Sequence, residues 1–116
     1  MSDILKIPAG ETLLHEGEES REMYYVQEGT LAVFKRKDDY NSQQIGTIYS
    51  GEVVGEMSFL DKSPRCATVK AISDCTLVVV PSETLENLYK DLPIWYRALV
   101  NTLLERLRKA NARIRI

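Results

Sequence analysis

The sequence predicts a mainly β fold, an antiparallel sandwich or barrel, followed by C-terminal helices. Short runs of β-forming residues between Ile4 and Val80 are separated by turn signals about every 8–12 residues, as in sandwiches and barrels. After Pro81 the apolar residues instead recur at helical spacing. With 116 residues, 44% hydrophobic and 28% charged, the chain has the size and composition of one globular domain.

Several segments of the first part are rich in β-branched, aromatic and other apolar residues. They are Ile4–Ile7, Thr12–His15, Met23–Gln27, Thr30–Lys35, Ile45–Tyr49, Ala67–Ile72 and Cys75–Val80. Gly10 and Gly17 predict turns after the first two segments. Glu28-Gly29, between the third and the fourth, predicts a β-hairpin.

The alternation within the fourth segment does not decide which face of this strand meets the core. Leu31 and Val33 lie on one face and Ala32 and Phe34 on the other, so both faces carry apolar residues. Either face therefore fits a half-buried strand.

Two helices are predicted after the strands. Ser82 is a favourable N-cap for a helix over Glu83–Lys90. Proline is tolerated in the first turn of a helix, so Pro93 fits the start of a second one. No helix breaker follows Pro93.

The second helix carries an apolar seam with a 4-3-4-3-4 spacing. Its members are Tyr96, Val100, Leu103, Leu107, Ala110 and Ile114. Such a seam is either the inward face of an amphipathic helix or the contact with a second helix. Because the seam lasts to the final turn, we expect a homodimer formed through residues 93–116.

Charge is distributed unevenly along the chain. Residues 1–92 carry 9 Lys or Arg and 16 Asp or Glu, whereas residues 93–116 carry 6 and 1. An acidic body favours neither nucleic acid nor the steering of an anionic ligand. The basic residues of the second helix are explained by solubility and by its C-terminal dipole. We therefore expect no DNA binding by this chain alone.

Cysteine usage and hydropathy indicate a cytoplasmic protein. Cys66 and Cys75 flank one short turn without a secretory signal, so we expect reduced thiols. Neither their number nor their spacing suits a metal site. No apolar run approaches the ~20 residues that cross a bilayer, and Met1-Ser2-Asp3 does not begin a signal peptide, so no membrane association is expected.

The stretch from Gly51 to Ala71 carries the candidate functional site. Gly55 permits a positive φ or a close approach of the backbone to a ligand. A helix that begins just after it would present free N–H groups and the positive end of its dipole to an anion. Arg65, constrained in direction by Pro64, can donate two parallel hydrogen bonds to a phosphate.

Glu56 lies beside this predicted phosphate site. Its carboxylate would repel an anionic ligand unless it faces a hydrogen-bond donor, and a ribose hydroxyl is such a donor. Phosphate and sugar recognised together indicate a nucleotide. The alternative is an ordinary surface ion pair between Glu56 and Arg65, worth about 0–1 kcal/mol and unrelated to any ligand.

Two motifs carry a family resemblance. The GExxGE pattern at residues 51–56 and the Pro-Arg-Cys-Ala sequence at residues 64–67 closely resemble the phosphate-binding cassette of cyclic nucleotide-binding domains. That family includes protein kinase A regulatory subunits and bacterial catabolite-activator-type regulators. Gly10, Gly17 and Gly29 match the first half of the family pattern, so the resemblance covers nearly the whole chain.

The resemblance implies one domain over residues 1–116. Residues 1–80 would form an antiparallel β-roll of jelly-roll type, with the cassette at 51–71. Residues 82–116 would form a helical lid and dimerisation segment.

The resemblance also implies roles for individual residues. Arg65 would hold the cyclic phosphate and Glu56 the ribose 2′-hydroxyl. The remaining contacts would come from the backbone of Gly55, Met57 and Ser58 and from the small residues Cys66 and Ala67.

The choice of base depends on two further positions. The family's last helix covers the bound base, which implies Asn111 as a contact, since its amide offers a donor and an acceptor to a purine. A solvent-facing Asn111 fits the helix equally well. Family members that favour cyclic GMP often carry Thr directly after the arginine. Cys66 at that place favours cyclic AMP.

These features predict a regulatory sensor that transmits occupancy through its C-terminal helix. No nucleophile–base pair or pair of acids indicates catalysis. The alternatives are a degenerate dimer module that binds nothing and the sensor part of a truncated transcription factor. A metal-dependent cupin enzyme is disfavoured, because His15 is the chain's single histidine.

Overall fold

The computed structural model of the protein describes residues 3–19, 21–56 and 64–114, except for the side chains of residue 108 and residues 111–114. The chain divides into two compact units, Met1–Ser82 and Glu83–Ile116. The first unit is built from strands and the second from helices.

Within the described residues, the first unit contains eight strands. They are β1 (Asp3–Ile7), β2 (Thr12–Leu14), β3 (Glu22–Glu28), β4 (Leu31–Arg36), β5 (Ser42–Ile48), β6 (Val53–Val54), β7 (Thr68–Ala71) and β8 (Cys75–Pro81). They form two four-stranded sheets in the order β1-β8-β3-β6 and β2-β7-β4-β5. All recorded pairings are antiparallel, which confirms the predicted fold class.

Both sheets contribute to one apolar core. Its buried members are Ile7, Leu14, Tyr24, Val26, Leu31, Val54, Val69, Ala71, Cys75 and Leu77. Leu31 belongs to this cluster and Val33 packs against it, so these two define the inward face of β4. The alternation in the sequence had left this choice open.

The hairpin predicted at Glu28-Gly29 is wrong. β3 pairs with β8 and β6, whereas β4 pairs with β5 and β7, so the chain crosses between the sheets here. Gly29 has a φ of +101°, and a Cβ at this position would lie 2.5 Å from the Cys75 Sγ. A second crossing, between β7 and β8, lies against the first, since the Thr30 N–H donates to the Ser73 Oγ at 2.9 Å.

Two described helices follow the strands, helix α1 (Ser82–Lys90), whose first residue belongs to the first unit, and helix α2 (Ile94–Ile114). Ser82 is the first residue of α1 rather than a residue outside it. Pro93 immediately precedes α2, and its carbonyl accepts the N–H groups of Tyr96 and Arg97 at 3.0 Å each. Neither described helix has the length and apolar character needed to cross a membrane.

Candidate functional site

The candidate site lies where β3 and β6 separate. β6 pairs with β3 only through Val53 and Val54, opposite Tyr25 and Tyr24. At Gly55 the backbone adopts a φ of +86°, which is accessible to glycine at little cost, and the chain leaves the sheet. β6 was not predicted from the sequence, because two residues show no periodicity.

The Arg65 side chain reaches this point of separation. Its Nη1 donates to the Gly55 carbonyl at 3.0 Å, and its Nη2 donates to the Glu22 carbonyl at 2.6 Å. Arg65 is only 5% exposed. Both acceptors are backbone carbonyls, and these two bonds help to orient the guanidinium.

Gly55 also provides the space that this contact needs. A Cβ at position 55 would lie 2.5 Å from the Arg65 Nη1. Any other residue type would therefore displace the guanidinium in addition to adopting an unfavourable φ. The cassette glycine and the cassette arginine thus form one structural unit.

The backbone of Arg65 is held as firmly as its side chain. Its N–H donates to the Glu18 carbonyl at 2.7 Å, and its own carbonyl accepts the Gly17 N–H at 2.8 Å. Gly17 has a φ of +89° in the loop between β2 and β3. This loop therefore fixes the point at which the Arg65 side chain begins.

Glu56 directly follows Gly55 and is partly buried. Burial raises the pKa of the Glu56 carboxyl above its usual value; a backbone hydrogen bond within Glu56 lowers this pKa in part, and the nearby charge of Glu52 raises it slightly. A carboxylate in such a place gains from a hydrogen-bond donor. Because Arg65 is buried, the alternative of an ordinary surface ion pair between Glu56 and Arg65 is wrong.

The other predicted site residues divide into three groups. Ala67 is 7% exposed, directly before β7, while the neighbouring Cys66 is exposed and has a free thiol. Met57 and Ser58 lie outside the described residues. Asn111 lies on α2, but its side chain is not among those described.

Two residues of β3 join the site without having been predicted. Glu22 accepts the guanidinium through its backbone carbonyl, and the hydroxyl of Tyr24 donates to the Glu22 Oε1 at 2.6 Å. The sequence contains no signal for the first contact, because every residue carries a carbonyl. The spacing of Glu22 and Tyr24 places them on one face of a strand, but this pattern is common.

Tyr24 is buried, with 6% of its surface exposed. Burial raises the pKa of its hydroxyl above the usual value, and the hydrogen bond to Glu22 raises it further, while the charge of Arg65 acts in the opposite direction. The hydroxyl therefore stays protonated at neutral pH and remains a donor. Among the described residues, no group of three or more His, Cys, Asp or Glu side chains is arranged to hold a metal ion.

A family model matches this chain over most of its length. The model describes the cyclic nucleotide-binding domain and covers residues 4–91. The matched segment includes the site built by Gly55, Arg65 and β3.

Individual proteins of known name are also similar to this chain. The chain is 29% identical over 104 residues to the cyclic AMP receptor protein of Thermus thermophilus, covering 90% of this chain and 48% of the relative. It is 30% identical over 105 residues to a lysophospholipase NTE1 of Pyricularia oryzae, covering 90% of this chain and 7% of that enzyme. The crystal structure of the Thermus thermophilus catabolite activator protein matches with a TM-score of 0.80 and 26% identity, over 97% of this chain and 53% of that one.

The chain thus spans about half of one relative and a small part of the other. The similarity to the enzyme concerns a segment that makes up a minor share of its length.

Proposed function

Since the chain belongs to the cyclic nucleotide-binding domain family, we propose that it is a regulatory sensor module that binds cyclic AMP in preference to cyclic GMP. The observation that carries this proposal is the buried guanidinium of Arg65, oriented by the Gly55 and Glu22 carbonyls at the cassette. A guanidinium held in place before the ligand arrives loses little freedom on binding a phosphate.

Glu56 supplies the second contact, to the ribose 2′-hydroxyl. Its raised pKa supports this role, because a partly buried carboxylate lacks part of the hydration it has in water. A ribose hydroxyl replaces some of that hydration with a hydrogen bond. The backbone of Gly55, Met57 and Ser58, the small residues Cys66 and Ala67, and the Asn111 amide complete the proposed site.

The proposed preference for cyclic AMP depends on Cys66, the residue directly after Arg65. A thiol is a poor hydrogen-bond partner compared with the threonine hydroxyl that would reach a guanine amino group. The name of the Thermus thermophilus relative, a cyclic AMP receptor protein, agrees with this choice.

We also propose that the chain forms a homodimer through α2 and transmits occupancy through it. Large members of the predicted apolar seam are exposed in the single chain, namely Tyr96 at 42%, Leu103 at 54% and Leu107 at 41%. A second copy of the same helix would cover them. Binding that favours one arrangement of α2 would then change the dimer, or any partner that contacts it.

Calorimetric titration tests the ligand assignment. We expect the wild-type chain to bind cyclic AMP more tightly than cyclic GMP, and Arg65→Ala to weaken cyclic AMP binding by about 2–5 kcal/mol, as for loss of a buried charged partner. Arg36→Ala is the control, since Arg36 is an exposed arginine of β4. If the wild-type chain binds neither nucleotide, the proposal is wrong and the chain is a degenerate module that does not bind a ligand. Equal affinity for cyclic AMP and cyclic GMP would contradict only the proposed preference for cyclic AMP.

A further inference from the structure

We infer that Tyr24 and Glu22 are positioning residues for the phosphate-binding guanidinium, an inference that rests on the proposed function. Neither residue reaches the ligand in this account. Each acts through Arg65, because hydrogen bonds connect the three residues.

Glu22 makes contacts with two different groups. Its backbone carbonyl accepts the Arg65 Nη2 at 2.6 Å, while its side-chain Oε1 accepts the Tyr24 hydroxyl at 2.6 Å. The hydroxyl of Tyr24 therefore restrains the residue whose carbonyl orients the guanidinium. Loss of that hydroxyl frees the Glu22 side chain at the very start of β3.

Within residues 21–56 and 64–114, the start of β3 has no strand pair on the side of β6. The last pair between β3 and β6 is Tyr24 with Val54, two residues after Glu22. On the other side, Glu22 lies opposite Pro81, which has no N–H to donate. The neighbouring bond there joins the Ser82 N–H to the Arg21 carbonyl at 3.1 Å. The Tyr24–Glu22 bond thus restrains the strand where its ladder with β6 has ended.

The guanidinium also has space into which it could turn. A cavity of about 180 Å³ lies beside it, lined by residues that include Leu14, Glu18, Glu22, Tyr24 and Arg65. Glutamates outnumber the one other arginine, Arg21, in this lining, so the cavity would attract a guanidinium that had lost its orientation. Restraint of the Glu22 carbonyl holds Arg65 toward Gly55 instead.

The Tyr24 ring is well placed to restrain Glu22. It is buried in the core, opposite Val54 on one side and Val79 on the other, so its hydroxyl has a fixed position. Tyr24 and Arg65 line the same cavity, so the two side chains lie near each other.

The substitution Tyr24→Phe removes the hydroxyl and keeps the ring. We expect it to weaken cyclic AMP binding about three- to tenfold, as for the loss of one ordinary hydrogen bond. The matched control is Tyr25→Phe, the same change one residue along β3 at a side chain that is 40% exposed. Loss of stability alone does not alter a Kd measured well below the unfolding transition, so thermal unfolding is recorded in parallel.

A second measurement reports on the guanidinium directly. In ¹⁵N NMR spectra of the ligand-free chain, the Arg65 Nε–H resonance is expected to shift in Tyr24→Phe and to stay in place in Tyr25→Phe. Glu22→Gln keeps an acceptor for the tyrosine hydroxyl and should show smaller changes in the same direction. It replaces Tyr24→Phe if that variant does not fold.

The outcomes separate this inference from the proposed function. An unmoved Arg65 resonance in Tyr24→Phe, or wild-type affinity for cyclic AMP in that variant, overturns the positioning role. A wild-type chain that binds no cyclic nucleotide overturns the proposed function and with it the role toward a phosphate. The NMR shift would in that case still report whether Tyr24 orients the guanidinium.

Discussion

Arg65 shows what a buried charged side chain requires. Removing a guanidinium from water costs several kcal/mol, which hydrogen bonds must offset. Bonds to a charged group contribute about 1.5–3 kcal/mol each, so the two carbonyl contacts recover a substantial part of that cost.

Gly55→Ala tests the close contact between glycine and arginine. The positive φ alone should cost about 1–2 kcal/mol of unfolding free energy. The added Cβ should also displace the guanidinium, so cyclic AMP affinity is expected to fall at least about tenfold. Urea unfolding and calorimetry measure the two effects.

Gly51→Ala is the matched control for this prediction. Gly51 has a φ of +91°, but a Cβ there has nothing within 4 Å. It should lose similar stability and retain nucleotide affinity. Equal affinity losses in the two variants would show that backbone strain, and not the contact with Arg65, is responsible.

Glu56→Gln tests the raised pKa of Glu56. Because the folded pKa lies above the unfolded one, the folded state favours the protonated carboxyl. The resulting stabilisation is complete below the unfolded pKa and is lost as the pH rises through the folded pKa. At neutral pH the wild type therefore bears a cost that glutamine avoids.

We accordingly expect Glu56→Gln to unfold at higher urea than the wild type at pH 7, with the difference shrinking as the pH falls through the folded pKa. The same variant should bind cyclic AMP more weakly, because its amide is a poorer acceptor for the ribose hydroxyl. Glu11→Gln, in the exposed turn between β1 and β2, is the control. A pH-independent difference would exclude the burial effect.

Among the elements, the positions of the strands follow from the local sequence, whereas their pairing does not. The strand segments were predicted to within one to three residues at their ends, because β-forming residues and glycine turns are local features. The pairing partners of β3 and β4 were not predicted correctly, because strand pairing depends on contacts between distant parts of the chain. At Gly29, the close approach of Cys75 favours a crossing over a hairpin.

Helix α2 provides a test of the proposed dimer. Leu103→Asp places a charge in the apolar seam, which is costly to bury, and should raise the dimer dissociation constant at least about tenfold. Sedimentation equilibrium measures this. Thr102→Asp adds the same charge at an exposed position beside the seam and should leave the dimer intact. A monomeric wild type would contradict the dimer proposal and leave the ligand site unaffected.

At the scale of the whole molecule, charge does not help to capture the ligand. Residues 1–92 have a net charge of about −7 and residues 93–116 about +5. Residues 1–92 therefore repel a cyclic nucleotide at long range, and binding must rely on contacts at the cassette. The proposed function therefore depends strongly on the orientation of the Arg65 guanidinium.

Hydrogen exchange tests transmission to the second unit. We expect saturating cyclic AMP to slow amide exchange in residues 93–116, because occupancy should favour one arrangement of α2. The control ligand is 5′-AMP, which has the same base and sugar but no cyclic phosphate. Protection confined to residues 51–71 would mean that binding is not transmitted.

The amino-acid sequence alone determined the fold class, seven of the eight described strands and both described helices, and it nominated Gly55, Glu56 and Arg65 as candidate site residues. These features follow from local preference and residue chemistry. Tertiary structure alone decided the sheet that each strand joins, the inward face of β4, and the anchoring of Arg65 by Glu22, 43 positions away. Backbone carbonyls are the same in every residue, so only the folded chain selects which of them receives the guanidinium.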